Sequence, residues 1–323
     1  MRRNHPFALG RFATGPNDDF IGLVKDDFVT DLTTSPGFTA SLTINDVLAN
    51  WQDYRELLQG IVTDEVRYWM PLQDIRVLVP LHPTNILQAG ANYRKHVVQL
   101  MIAERNRDER TEDDARREAL ERLNTRRSTG KPYLFSGLQS AMCAAYDDIV
   151  LPLDGEEPDW ELELAAVIGA PARRVSPENA LDYVGGYTIC DDLTLRDHIY
   201  RPDMKIFGGD FVAGKNAPTF LPTGPYVVPA EFVADPSALR IQLSVNGKVM
   251  QDETCDDMLF DVAQLVSYAS HLIKLVPGDL VLTGSPAGNG THHGRFLRPG
   301  DVVEGSITGL GYQRNVCVAE SAL

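Results

Sequence analysis

The sequence reads as an α+β chain rich in strands, with a small N-terminal region ahead of a larger β-rich domain. Three observations predict this. Short apolar runs of strand length recur along the whole chain, separated by Gly, Pro and Asp. Asn246-Gly247 lies between residues 241–245 and 248–251, the pattern of a two-residue hairpin. Helical spacing is confined to a few stretches, chiefly 44–58, 101–131 and 261–275.

The N-terminal region covers residues 1–76. Residues 7–13, 20–24 and 28–32 predict short strands, with Asp26-Asp27 at a turn. Residues 44–58 predict a helix capped by Thr43 or Asn45. Nothing in this region carries obvious chemistry. The second domain, 77–323, opens with a strand at 86–90 that ends in glycine and runs into Asn92-Tyr93-Arg94-Lys95-His96. A lone histidine is ordinarily a surface or packing residue, but its proton comes on and off near neutral pH. Residues 101–131 form a highly charged insertion. Thr111 with Asp114 resembles a capping box, and Ala115, Ala119, Leu120 and Leu123 make a thin apolar stripe. This reads as a solvated helix placed to shape the mouth of a site or a subunit contact. Residues 148–152 predict a strand leading to the central stretch.

That stretch is Asp159-Trp160-Glu161-Leu162-Glu163-Leu164, running into Ala165-Ala166-Val167-Ile168-Gly169. Residues two apart on a strand share a face, so Glu161 and Glu163 leave the same side of an apolar run. Such a pair also reads as the wet face of an amphipathic strand. If the strand is buried, two adjacent carboxylates repel and lose hydration, and they need a cation. A second strand at 183–190 exits into Asp191-Asp192. Glu161, Glu163 and Asp192 together offer three oxygen ligands. That set suits a hard cation, Mg²⁺, Mn²⁺ or Ca²⁺, and leaves positions for water and substrate. Downstream, the helix at 261–275 stops at Pro277-Gly278. The turn Thr283-Gly284-Ser285-Pro286 lacks a phosphate-loop ending, and His292-His293 reads as a polar loop. Strands at 302–307 and 312–318 close the chain.

With 323 residues, 43% hydrophobic and 23% charged, the composition is that of an ordinary globular chain. A net charge of −15 argues against nucleic acid or an anionic membrane as a partner. Four cysteines without CxxC spacing, no leader-like segment and no long apolar run lead to the expectation of a reduced, cytoplasmic protein.

Several segments, in order, resemble the fumarylacetoacetate hydrolase family. They are Gly90-Ala91-Asn92-Tyr93-Arg94-Lys95-His96, the Asp159 to Leu164 stretch with Val167-Ile168-Gly169, and Gly186-Tyr187-Thr188 followed by Asp191-Asp192-Leu193-Thr194-Leu195-Arg196-Asp197. Gly214-Lys215, Pro222-Thr223-Gly224-Pro225, Pro277-Gly278-Asp279 and Thr283-Gly284-Ser285-Pro286 continue the match. The resemblance implies a mixed β-roll with peripheral helices, a homodimer, and a divalent metal held by three carboxylates. These match Glu161, Glu163 and Asp192. It implies a lid histidine at His96 that activates water or shuttles a proton, and a lysine at Lys215 directed at substrate. It places Tyr93, Arg196 and Ser285 among the substrate contacts. Arg196 could equally brace the metal ligands. The implied activity is hydrolysis of a C–C bond in a small 2,4-dioxo acid or β-diketone, as in aromatic catabolism. The alternatives are an oxo-acid decarboxylase, tautomerase, isomerase or hydratase, and a non-catalytic binding member. The chain departs from the family's pattern at Gln99, where many members carry a Glu that partners the histidine, at Gly137 in place of Lys, and at Ile199. Either another carboxylate partners His96, with Glu104 a candidate, or the histidine acts alone, or the reaction needs no strong base.

Overall fold

The structure is a computed structural model of the chain, describing residues 6–16, 18–104, 111–199, 203 and 208–321. In chain order, β1 (Ala8–Ala13), β2 (Asp19–Lys25) and β3 (Phe28–Asp31) precede α1 (Ile44–Ala49) and α2 (Trp51–Thr63), then β4 (Met70–Pro71) and β5 (Arg76–Leu78). Next come β6 (Ile86–Gly90), α3 (Arg94–Glu104), α4 (Glu112–Thr129), β7 (Tyr133–Gly137), β8 (Met142–Ala144), β9 (Ile149–Leu151) and β10 (Pro158–Asp159). The central hairpin is β11 (Leu162–Ile168) and β12 (Val184–Asp191), followed by β13 (Thr194–Leu195), α5 (Arg196–Ile199), α6 (Phe211–Lys215), β14 (Leu221–Thr223) and β15 (Val228–Pro229). The last third holds β16 (Arg240–Val245), β17 (Lys248–Thr254), α7 (Val262–Leu272), β18 (Leu280–Leu282), α8 (Gly290–His293), β19 (Val302–Ile307) and β20 (Gly311–Ala319).

This is a strand-rich α+β fold built on three main sheets. The first, in order β4-β3-β2-β1-β5, is N-terminal. It shares a core with the rest of the chain: Phe7, Leu9 and Leu23 belong to one buried cluster with Leu221, Val227 and Leu280. The second runs β7-β6-β18-β11-β12-β14-β8, and the third β17-β16-β19-β20-β9. Leu162, Leu164, Ala166 and Ile168 of β11 join a core that also contains Ile241, Leu243 and Val303 of the third sheet. Every residue of β11 is buried, so Glu163 does not lie on a wet face. The Asn246-Gly247 turn has φ of 53° and 76° at its two residues, which are the left-handed angles a tight hairpin demands.

Two elements differ from the sequence expectation. The helix at 44–58 is two helices, α1 and α2, broken at Asn50, whose backbone φ of −119° and ψ of 38° is not helical. Thr43 caps α1 through a reciprocal box with Asp46. His292-His293 ends the short helix α8 rather than lying in a loop, because the Asn289 side chain accepts from the His292 N–H and starts a turn. The charged insertion forms α3 and α4, with residues 105–110 outside the described residues. Its stripe of Ala115, Ala119 and Leu123 is buried, while Leu120 is exposed. No described helix is long and apolar enough to cross a membrane.

The central sheet explains why chemistry gathers at one end. β11 is antiparallel to both β12 and β18, and β18 is parallel to β6. The C-terminal ends of β6, β18 and β12 therefore meet the N-terminal end of β11. At the other end, Gly169 and Gly185 lie in backbone contact: a Cβ on Gly169 would fall 2.6 Å from the Gly185 Cα. Backbone cannot yield as a flexible side chain can. Gly169→Ala is expected to destabilise the protein by about 1–3 kcal/mol through overpacking, read as a lower urea midpoint.

Candidate metal centre

Glu161 stands just before β11, Glu163 is its second residue, and Asp192 follows β12. Leu162 pairs with Asp191 and Glu163 with Cys190, so the register brings the three acidic side chains to the same sheet end. Their carboxylate oxygens lie within 4.8 Å of one another, and all three residues are buried. They line a cleft of about 140 Å³ together with His96, Arg196, Lys215 and Ser285. The cleft's other wall is apolar and is contributed by Leu100, Tyr133, Phe135, Ile199 and Phe211.

Two cations neutralise part of this charge. Lys215 donates to Glu161 Oε2 and Asp192 Oδ2, both at 2.6 Å, and to the Asp192 carbonyl at 3.0 Å. Arg196 donates through Nε to Asp159 at 2.9 Å and through Nη2 to Glu161 at 2.5 Å. Asp159 in turn accepts from the Gly290 N–H and from Thr291, tying the α8 turn to the site. Arg196 thus braces Glu161 and also lines the cleft. Burial would raise the Glu161 carboxyl, but Arg196, Lys215 and His96 hold it well below its ordinary range.

Glu163 and Asp192 lack enough positive charge. Glu163 accepts the Gly284 N–H at 2.7 Å, and burial together with the Asp192 charge pushes its carboxyl up. Burial pushes Asp192 up to about 6 against the pull of Lys215, and Asp191 up to about 7 while it accepts the Glu161 N–H. Buried oxygen donors short of cations, with no sulfur among them, fit a hard divalent ion. Gly284, at φ +90°, provides the close approach: a Cβ there would lie 3.0 Å from the Ala89 carbonyl oxygen.

His96 is on the first turn of α3, and burial lowers its imidazole to about 4, with Glu161 opposing the shift. Its Nε2 is 3.7 Å from Glu161 Oε1. Glu161 is therefore the nearby carboxylate that Gln99 does not supply. Gln99 instead accepts the Gly288 N–H at 2.9 Å. The Glu104 side chain lies outside the described residues. Ser285 accepts from Gln251 Nε2 at 2.9 Å at the cleft edge. Tyr93 is fully buried in the core and does not line the cleft. His292 and His293 stand apart from the carboxylate cluster, and His293 Nε2 lies 3.2 Å from the Met250 carbonyl.

Sequence reading passed over Gln88, which donates to Asp192 Oδ1 at 2.5 Å, and Thr194, whose hydroxyl lies 3.3 Å from Glu161 Oε2. A signal existed for Gln88, the one polar residue in the apolar run Ile86-Leu87-Gln88-Ala89.

A family model described as fumarylacetoacetate (FAA) hydrolase C-terminal matches residues 85–318. The chain belongs to the fumarylacetoacetate hydrolase family. It is 32% identical over 253 residues to a fumarylacetoacetate hydrolase domain-containing protein 2 homolog of Dictyostelium discoideum, covering 75% of this chain and 74% of that protein. It is 39% identical over 183 residues to the mitochondrial oxaloacetate tautomerase FAHD2A of Bos taurus, covering 56% of this chain and 57% of that protein. A crystal structure of maleylpyruvate hydrolase from Sphingobium sp. SYK-6, in complex with manganese(II) and pyruvate, is 25% identical. It superposes with a TM-score of 0.74 over 97% of this chain and 100% of that one. The strand-rich α+β fold with curled sheets is thus the family's fold, and membership supports an enzyme.

Two predictions follow from the electrostatics. Lys215→Met leaves Glu161 and Asp192 without their shared cation. It is expected to cost the metal-free protein about 3–5 kcal/mol, measured by urea unfolding. In the metal-free protein the His96 imidazole is expected to stay neutral at pH 6 and to titrate near 4, read from its ¹⁵N shifts by NMR.

Proposed function

We propose that this protein is a divalent-metal-dependent hydrolase that cleaves a C–C bond in a small 2,4-dioxo acid or β-diketone. The observation that carries this reading is the cluster of three buried carboxylates that share one cleft with a histidine and a lysine. Glu161, Glu163 and Asp192 would hold the cation. When bound, it would supply Lewis acidity toward a 1,2- or 1,3-dioxo group.

The remaining roles fall to the chain. His96 is unprotonated at neutral pH and takes the proton of an attacking water as general base. Its return to the leaving carbon completes the cleavage. Lys215 stays an ammonium, because the Asp192 and Glu161 carboxylates outweigh the effect of its burial. It supplies positive charge where an enolate develops. Leu100, Phe135, Ile199 and Phe211 give the cleft an apolar wall, which strengthens the electrostatic effect of the nearby charges. Arg196 and Thr194 hold Glu161 in place. The manganese and pyruvate of the Sphingobium hydrolase support the same chemistry here.

A second reading, enol–keto exchange of an oxo-acid, is favoured by one geometric fact. His96 lies 3.7 Å from Glu161, too far for a hydrogen bond that would strengthen it as a base toward water. Moving a proton between carbon and oxygen asks less of it, and the bovine relative is named for that reaction.

The test is an assay of the Mn²⁺-loaded protein against acylpyruvates, β-diketones and oxaloacetate. Release of pyruvate or an acid product is expected, reduced at least 100-fold in Glu163→Ala and His96→Ala. Enol–keto exchange without bond cleavage selects the second reading. Undiminished activity in Glu163→Ala removes the metal centre from the account.

A further inference from the structure

We propose that Gln88 and Gly137 form one device that sets the orientation of Asp192 as a metal ligand, with Gln88 as a positioning residue. The inference rests on reading Glu161, Glu163 and Asp192 as the metal's ligands. Gln88 is on β6, only 1% exposed, and its Nε2 donates to Asp192 Oδ1 at 2.5 Å. Asp192 Oδ2 accepts from Lys215 Nζ at 2.6 Å. The two oxygens thus have different partners: one is tied to the sheet by a neutral amide and the other to the ammonium of Lys215. A carboxamide does this without charge. It fixes the carboxylate plane and leaves the negative charge for a cation, whereas an ammonium or guanidinium in its place would compete with one.

Gly137 makes the reach possible. On neighbouring β7 it pairs with Ile86, while Gln88 pairs with Phe135. A Cβ on residue 137 would lie 2.6 Å from Gln88 Oε1, 3.1 Å from Gln88 Cδ and 2.9 Å from Ile86 Cγ2. Any side chain there would drive the carboxamide off its present position. Gln88 Oε1 is buried with no hydrogen-bond partner among the described residues. A buried amide oxygen left unpaired is a cost. The carboxamide's placement is set by its donor end at Asp192 and by the room that the glycine at 137 leaves for its oxygen.

The test is Mn²⁺ binding to the metal-free protein, followed by electron paramagnetic resonance, for wild type, Gln88→Ala, Gly137→Ala, the double variant and Glu163→Ala. Metal-free melting curves accompany each, and Gln88→Met replaces Gln88→Ala should the latter melt without a cooperative transition. Gln88→Ala is expected to weaken binding 10–100-fold. Gly137→Ala should weaken it in the same direction. In the Gln88→Ala background, Gly137→Ala should change binding less than twofold, because its effect passes through the carboxamide. Wild-type affinity in Gln88→Ala, with binding lost in Glu163→Ala, overturns the inference and leaves the metal centre standing. Additive losses in the double variant overturn the coupling between Gln88 and Gly137. Absence of Mn²⁺ binding in the wild type overturns the metal-centre reading itself.

Discussion

An excess of buried negative charge at one end of the central sheet is the constraint on which this structure depends. Glu161, Glu163, Asp192, Asp159 and Asp191 are all buried there, against Lys215 and Arg196. Carboxylates taken out of water without partners would be prohibitively costly. Each is therefore tied down. Asp159 accepts from Arg196 and the α8 turn, Asp191 from the Glu161 N–H, and Glu163 from the Gly284 N–H. These bonds satisfy geometry but not charge. Burial, with the neighbouring negative charges, still pushes Glu163, Asp191 and Asp192 up.

The sheet's topology makes this concentration reachable. Antiparallel pairing of β11 with β12 and β18, and parallel pairing of β18 with β6, bring four strand ends together. Gln88, the Gly284 turn, Glu163 and Asp192 come from positions far apart in the chain, yet each is one or two residues from a sheet end. Short connections from regular strands hold side chains more rigidly than long loops, which suits a site whose ligands must keep their spacing. The α3 helix then brings His96 over the cluster from β6, and Arg126 of α4 donates to the Ala91 carbonyl beside it. The charged insertion is therefore not only a solvated helix, because it also braces the segment between β6 and the histidine.

The site was legible from the sequence wherever a polar residue broke an apolar pattern. Glu161, Glu163 and Asp192 stood out because buried strands do not ordinarily carry carboxylates, and Gln88 carried the same signal more weakly. His96 could be singled out as a residue, but its partner could not. With Gln99 where a Glu was expected, a carboxylate near the imidazole, Glu161 at 3.7 Å, comes from more than sixty residues away in the chain. Lys215 was identified as a cation of the site. Its contact with two ligand carboxylates at once depends on where α6 docks, which no local pattern encodes.

By itself the sequence determined the strand-rich class, the hairpin at Asn246-Gly247 and the principal strands, and it singled out three acidic residues that the fold brings together. These follow from period-two burial, turn chemistry and the cost of burying charge, all of which act over a few residues. Only the tertiary structure decided that Arg196 braces Glu161 and Asp159, that Tyr93 is core, that Gln99 holds the Gly288 N–H, and that Gln88 reaches Asp192 over a glycine. Those facts depend on strand order and register between segments remote in sequence. Pairing across a sheet is set by the summed burial of whole strands, not by the residues that meet there.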